Sequence, residues 1–197
     1  MVENAVSIYG KHLPEMTSVL NRLLDCVNEG AESIKDKTGM NPVEHVKSRI
    51  KSEESMREKC RRQRLPETEE SALQTIHDAI GLRVVCSFLD DVYAIRDYLS
   101  LRKDIEIISE KDYIRNVKPN GYRSLHLIVK KDGYYAEIQL RTISMDTWAA
   151  LEHHIRYKKN IGGNTALIFE ELKRCADELA STDVSMQTIR SMINGEE

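Results

Sequence analysis

Apolar side chains at Met16, Val19, Leu20, Leu23, Leu24 and Val27 recur every three to four positions, which predicts an amphipathic helix near the N-terminus with Gly30 as its stop. Past Pro42 the period changes. Val46 and Ile50 stand among polar residues, and residues 43–51 read as a short extended piece. Residues 52–64 read as a basic helix ended near Pro66, and residues 69–79 as another short helix. Residues 81–88 are β-rich and mostly apolar, as suits a central buried strand. Asp90 is placed to cap a helix over residues 91–101, and residues 105–108 form a strand. Residues 124–129 and 134–141 read as a hairpin across Lys131-Asp132-Gly133, a strong turn signal. Thr142 opens a helix carrying Met145, Trp148, Ala149, Leu151 and Glu152. After Gly162-Gly163, residues 167–193 read as a long closing helix.

Strands in the middle and helices at both ends predict an α+β domain built on a mixed β-sheet of about five strands flanked by helices. A chain of 197 residues suits one domain. Its core is expected over about residues 40–160, with terminal helices at about 4–29 and 165–194 suited to packing against other copies of the chain.

Composition narrows the function classes. No run of about 18 apolar residues exists, so no membrane span is expected. The N-terminus lacks a basic-then-apolar leader, and Cys26, Cys60, Cys86 and Cys175 are scattered without metal-ligand spacing. Free thiols in a reducing cytoplasm follow. The net charge of −3 does not advertise a polyanion partner. Between Lys47 and Arg64, however, eight Lys or Arg face three Glu. A basic patch inside a mildly acidic protein fits a small polyphosphate better than a long nucleic acid.

That patch has a register. Arg49 and Lys51 share a face of an extended piece, and Ser55, Lys59 and Arg62 lie along one stripe of the helix. One cationic and hydroxyl strip results, about as long as a triphosphate, where charge-assisted bonds are strong. An ordinary solvated basic face is the competing explanation. Asp78 stands before Gly81-Leu82-Arg83 at the mouth of the central strand, where carboxylates commonly hold Mg²⁺. The doublet His77-Asp78 also invites a metal-phosphohydrolase reading, but His45, His126 and His153-His154 are not spaced as its further ligands.

The densest chemistry lies in Asn120-Gly121-Tyr122-Arg123-Ser124-Leu125-His126 and Glu137-Ile138-Gln139-Leu140-Arg141. Strand alternation puts Glu137, Gln139 and Arg141 on one face, with Ile138 and Leu140 toward the core. Gly121 allows close approach to a ligand, Tyr122 offers a stacking plane, and His126 can donate to a phosphate. A flat base, several phosphates and a metal suit this set. With the basic strip it makes a site for two nucleotides.

Taken in order, Arg49-Ile-Lys51-Ser-Glu-Glu-Ser55-Met-Arg-Glu-Lys59, Asp78-Ala-Ile-Gly-Leu-Arg83-Val, the Asn120–His126 stretch, Glu137-Ile-Gln-Leu-Arg-Thr142 and Trp148-Ala-Ala-Leu-Glu-His153 resemble the synthetase domain of the RelA/SpoT alarmone enzymes. The resemblance runs from about Val6 to Lys173. Length and the absence of a hydrolase domain point to the small alarmone synthetases of the RelQ/RelP type. The resemblance implies a nucleotidyltransferase-like synthetase fold and pyrophosphoryl transfer. The 3′-hydroxyl of GDP, GTP or GMP attacks the β-phosphorus of ATP, giving ppGpp, pppGpp or pGpp and AMP in the stringent response. Carried over by position, Arg49 and Arg83 flank the adenine, while Lys51, Ser55, Lys59 and Arg62 bind the ATP phosphates. Asp78 and Glu137 are the catalytic carboxylates and hold Mg²⁺, Glu137 also activating the hydroxyl. Tyr122 stacks on the guanine, with Lys118, Asn120, His126, Gln139 and Arg141 lining the acceptor pocket. Relatives assemble as homotetramers, are often stimulated by product, and some bind single-stranded RNA, so RNA is a possible modulator of a bacterial cytoplasmic enzyme.

One departure bears on the acceptor. Family members often carry Asn after Glu-His, where this chain reads His153-His154-Ile155-Arg156. An amide donates and accepts, whereas arginine only donates. The hairpin before Glu137 is also shorter than in many relatives. Two other classes stay open: a pyrophosphokinase acting on another acceptor, such as an adenine nucleotide or a tRNA 3′ end, and a non-catalytic RNA-binding or regulatory module.

Overall fold

The computed structural model describes residues 7–157 and 164–195, with side chains through residue 155 in the first stretch. After a single turn at Gly10–His12, helix α1 spans Leu13–Thr38. Then come β1 (Val43–Ile50), α2 (Glu53–Gln63), a π-type turn at Ser71–Thr75, β2 (Ile80–Cys86) and α3 (Leu89–Leu101). The chain closes with β3 (Glu106–Asp112), β4 (Leu125–Lys131), β5 (Tyr134–Thr142), α4 (Ile143–Tyr157) and α5 (Thr165–Asn194). The five strands form one sheet in the order β1-β2-β5-β4-β3. Only the central β2–β5 pair is parallel, so the sheet is mixed as expected.

The central strands alternate over residues 80–84 and 136–140. Leu82, Val84, Ile138 and Leu140 are buried, while Gly81, Arg83, Glu137 and Gln139 stay half-open on the other face. Helices α1 and α3 pack together and onto the strands, so Met16, Val19, Leu23, Ile95 and Leu99 join one core with the strand residues. At about 25 cal/mol per Å² of apolar area this face supplies most of the drive to fold. It also leaves the opposite face free for polar groups. The β4–β5 hairpin forms where expected, with β4 running to Lys131 so that only two residues make the connection. Lys131 pairs with Tyr134, and Asp132 and Gly133 both have positive φ.

Four local expectations need correction. Helix α1 does not stop at Gly30 but runs to Thr38, where left-handed Gly39 caps it. Gly30 is a close-approach site instead, since a β-carbon there would lie 2.7 Å from the Tyr98 ring on α3. The short helix expected over residues 69–79 ends at Thr75 in the π-type turn, and the chain straightens at Ile76 before β2. Asp90 does not cap α3. The Asp91 carboxylate does so, accepting the Phe88 amide at 3.1 Å. Strand β3 extends to Asp112, beyond residues 105–108. The four cysteines are free thiols, and no described helix is long and apolar enough to cross a membrane.

Candidate active site

Register across the sheet builds the site. Lys47, Arg83, Gln139 and His126 form one cross-strand row, and Arg49, Gly81, Glu137 and Ile128 form the next. Paired residues point to the same face, so residues far apart in sequence meet on it. A cleft of ≈ 230 Å³ opens there, lined by Lys47, Arg49, Asp78, Arg83, Glu137 and Gln139 among others. Gly81 keeps its floor low, and the Arg49 side chain lies over it.

The β1–α2 junction brings the cations to one edge. Ser52 caps α2 by accepting the Ser55 amide, and the Lys51 amide bonds the Ala79 carbonyl at 2.8 Å, extending the ladder past β1. Lys59 and Lys51 then reach Asp78 Oδ2 at 2.6 and 3.3 Å. The N-terminal segment braces this junction. The Tyr9 hydroxyl donates to the Lys51 carbonyl, and Glu53 accepts from Ser7 and Ile8.

The other Asp78 oxygen is buried without a hydrogen-bond partner among the described residues. An unsatisfied buried carboxylate oxygen is costly unless a ligand completes it. One or two carboxylates facing a polyphosphate cleft are the protein donor set Mg²⁺ uses. Asp78 and Glu137 therefore fit that ion. His77 turns away, stacking on Tyr135 at 3.9 Å and bonding the Gln74 carbonyl, so the His-Asp doublet builds no hydrolase centre. No group of three or more potential metal ligands occurs among the described residues.

Glu137 begins a continuous chain of bonds. Its two oxygens accept from His126 Nδ1 at 3.1 Å and from the Gln139 amide at 2.9 Å. Burial alone would raise its carboxyl, but the bond and charge of His126, the Gln139 amide and the Lys59 charge overcome that and hold it at about 2. His126 Nε2 meets the Tyr122 hydroxyl at 2.8 Å, and Arg141 donates to that hydroxyl at 2.6 Å. Arg141 also donates to Gln139 Oε1 and to Asp146. Arg83 reaches the same Asp146 oxygen at 3.2 Å, while its Nε is buried without a partner among the described residues.

The predicted residues fall into three groups. Arg49, Asp78, Arg83, Glu137 and Gln139 line the cleft, and Lys51, Lys59 and His126 touch its carboxylates. Tyr122, Asn120, Lys118 and Arg141, expected on the acceptor side, gather around the Gly121 turn and differ in their contacts. Tyr122 is half-buried, and Lys118 Nζ lies over its ring at 5.0 Å and over Tyr113 at 4.2 Å. Asn120 accepts the Tyr122 amide and so shapes the turn. Arg141 is buried behind Tyr122 and does not line the cleft. Ser55 and Arg62 complete the third group. Both are exposed along α2 outside the cleft lining, and Ser55 is bonded to Ser52. The Arg156 side chain lies outside the described residues.

Two contributors escape the sequence pattern. Asp146 reads as an ordinary first-turn acid of α4, yet it is the shared anion of Arg83, Arg141 and Lys47. Helix α5 is the second. Arg123 donates to the Gly121 and Ala176 carbonyls and to Asp177, Trp148 Nε1 donates to the Leu172 carbonyl, and Thr142 donates to Asp183 at 2.6 Å.

Comparison with known proteins agrees with this geometry. Residues 48–162 match the region found in RelA / SpoT proteins. The chain is 42% identical over 164 residues to the GTP pyrophosphokinase YwaC of Bacillus subtilis, covering 79% of this chain and 78% of that protein. The crystal structure of small alarmone synthetase 2 from B. subtilis superposes with a TM-score of 0.75 at 38% identity, covering 92% of this chain and all of that one. Small alarmone synthetase 1 from B. subtilis, solved bound to its product pppGpp, gives a TM-score of 0.69 at 31% identity, covering 88% and 97%.

Proposed function

This chain belongs to the RelA/SpoT family, and from that membership we propose that it is a GTP pyrophosphokinase that makes (p)ppGpp. The 3′-oxygen of a guanine nucleotide attacks the β-phosphorus of ATP. The bond from that phosphorus to the α,β-bridging oxygen breaks, AMP leaves with the bonding pair, and the hydroxyl proton is released. The observation that carries this is the meeting of Asp78 and Glu137 in one cleft, with Lys51 and Lys59 on one side and the Tyr122 turn on the other.

Phosphoryl transfer asks the protein for position and charge rather than covalent help. Arg49 and the free Nε of Arg83 hold the donor base, and Lys51 and Lys59 exchange Asp78 for phosphate oxygens when ATP enters. Ser55 and Arg62 extend the strip along α2 for the distal phosphates. Asp78 and Glu137 hold Mg²⁺, which when bound offsets phosphate charge. Lys118, Asn120, Tyr122, His126 and Gln139 take the acceptor, for which Lys118 must swing off the Tyr122 ring. With its carboxyl at about 2, Glu137 is a weak proton acceptor. It orients the 3′-hydroxyl and keeps its charge, and a loose transition state needs little more from it.

Exposed Leu167, Phe169, Val184, Met186, Ile189 and Met192 along α5 support assembly of the chain into a homotetramer. Light scattering behind size exclusion measures that state directly.

The transfer itself is tested by incubating the protein with γ-³²P-ATP, Mg²⁺ and, separately, GMP, GDP, GTP, ADP or tRNA, with products resolved by chromatography. Label moving to the guanine nucleotides with matching release of AMP is expected. Release of free phosphate and ADP, or label confined to ADP or tRNA, would overturn the assignment.

A further inference from the structure

Asp146 is nearly buried and lies outside the cleft lining. Its Oδ1 accepts from Arg83 Nη1 at 3.2 Å and from Arg141 Nη1 at 3.1 Å, and its Oδ2 lies 3.7 Å from Lys47 Nζ. The two arginines belong to different half-sites. Arg83 lines the cleft beside Arg49, whereas Arg141 holds the hydroxyl of Tyr122 and the amide oxygen of Gln139. We propose that Asp146 is a positioning residue that couples the two nucleotide half-sites, setting the Arg83 guanidinium for the donor base and, through Arg141, the Tyr122 ring for the acceptor base. The assignment of half-sites rests on the transfer reaction above.

The physical reason is a charge crowd. Two guanidiniums share one nearly buried carboxylate, and the exposed Lys47 ammonium approaches it from the rim. Burial and the neighbouring Arg141 charge both disfavour the charged form of Arg83, and Asp146 opposes them. Without the carboxylate, the Arg83 and Arg141 charges face each other with little water between them, while exposed Lys47 stays screened. Arg83 and Arg141 must then separate, and each separation disturbs a different ligand. The placement of Asp146 is local chemistry. Thr142 caps α4 by accepting the Met145 amide at 3.2 Å, and an acid in that first turn is favoured by the helix dipole.

The test is equilibrium binding, titrating a non-hydrolysable ATP analogue and GDP separately by calorimetry, alongside initial rates with each substrate varied. In Asp146→Asn, affinity for both nucleotides should fall about tenfold, the scale of a lost charge-assisted bond. Asp146→Glu, which keeps the charge, should recover part of each. Arg83→Met leaves Asp146 in place and offers a second route. Its GDP affinity should also fall, by about threefold, although Arg83 belongs to the donor side. Unchanged affinity for either nucleotide in Asp146→Asn, or unchanged GDP affinity in Arg83→Met, would overturn the coupling. Should Asp146→Asn fail to fold, the Arg83→Met arm alone decides. Failure of the transfer reading looks different: the unaltered protein would bind no nucleotide or transfer no pyrophosphate.

Discussion

Arg123, on the turn that carries Tyr122, and Asp177, on α5, form an ion pair of 2.8 Å. The same guanidinium bonds the carbonyls of Gly121 and Ala176, so one side chain fastens the acceptor turn to the C-terminal helix. Helix α5 thus backs the turn that carries Tyr122. Arg123→Ala should raise the acceptor KM about tenfold with the ATP KM unchanged, since Lys51, Lys59 and Asp78 lie on other elements. Asp177→Ala should do less, because Asp177 is half-exposed and the two carbonyls remain to hold Arg123. Initial rates with each substrate varied separate the cases, and an equal rise in both KM values would contradict the assignment of Arg123 to the acceptor turn.

Gly121 is required by space and by conformation. Its φ is +90°, and a β-carbon there would sit 2.7 Å from the Ala176 β-carbon and 3.4 Å from the Lys173 α-carbon. Gly121→Ala should cost about 1–3 kcal/mol and weaken acceptor binding more than ATP binding. Adding Ala176→Gly should restore part of the loss, because it removes the clash but leaves the backbone strained. Thermal melts of the single and double variants provide the check.

The fold was legible wherever a period or a turn was local. The apolar run in residues 81–88, the alternation of Glu137, Gln139 and Arg141 with Ile138 and Leu140, and the Lys131-Asp132-Gly133 turn need only neighbouring residues to be read. What escaped was set by contacts between elements. Gly30 looks like a helix stop in isolation but is a slot for Tyr98. Arg141 sits in phase with Glu137 and Gln139, yet α4 packs against β5 and Arg141 is buried, bonded to Asp146. Asp146 carries no pattern beyond a helix-start acid, and only the folding of α4 against β2 and β5 reveals its three cations. Helical phase puts Ser55 and Arg62 on the stripe of Lys59 but does not give their distance from the cleft.

Glu137→Gln should abolish transfer while leaving affinity for a non-hydrolysable ATP analogue within a few-fold, because the donor groups are untouched. The same variant has a pH signature. The Glu137 carboxyl sits at about 2 in the folded protein against an ordinary 4.5. A lowered folded value means the stabilisation is fully present above pH 4.5 and is lost as pH falls toward 2. The unaltered protein should therefore lose on the order of 3 kcal/mol across that window that Glu137→Gln does not lose. Urea denaturation of both proteins from pH 5 down to 2.5 isolates the difference, since other carboxylates titrate alike in each. Parallel curves would show that Glu137 is not held by His126 and Gln139 in solution.

Asp78 should be the residue most sensitive to metal. Chelation with EDTA should halt transfer, and added Mg²⁺ should restore it. Asp78→Asn keeps the shape but leaves Lys51 and Lys59 without their anion and offers a far poorer ligand. Its kcat should fall at least a hundredfold, on the scale seen when transition-state charge stabilisation is removed. Half-maximal activity in what remains should also need more Mg²⁺. An unchanged Mg²⁺ requirement would place the ion elsewhere.

At the far end of α5, Arg190 meets Asp91 at 2.7 Å with both side chains buried. The guanidinium also lies over the Phe88 ring at 4.7 Å, and Asp91 caps α3 through the Phe88 amide. Burial pushes the Asp91 carboxyl up, against the pull of Arg190, so the charge there depends on its partner. Arg190→Ala should destabilise by about 3–5 kcal/mol, because it strands a buried carboxylate. Asp91→Asn with Arg190→Met should recover most of that loss, since the amide oxygen still caps α3 and no charge is left unpaired. The pin acts at one end of the helix whose middle holds Arg123. Any folded Arg190→Ala protein should therefore also show a raised acceptor KM, while the double variant should not. Denaturation curves and acceptor titrations on the same preparations test both halves together.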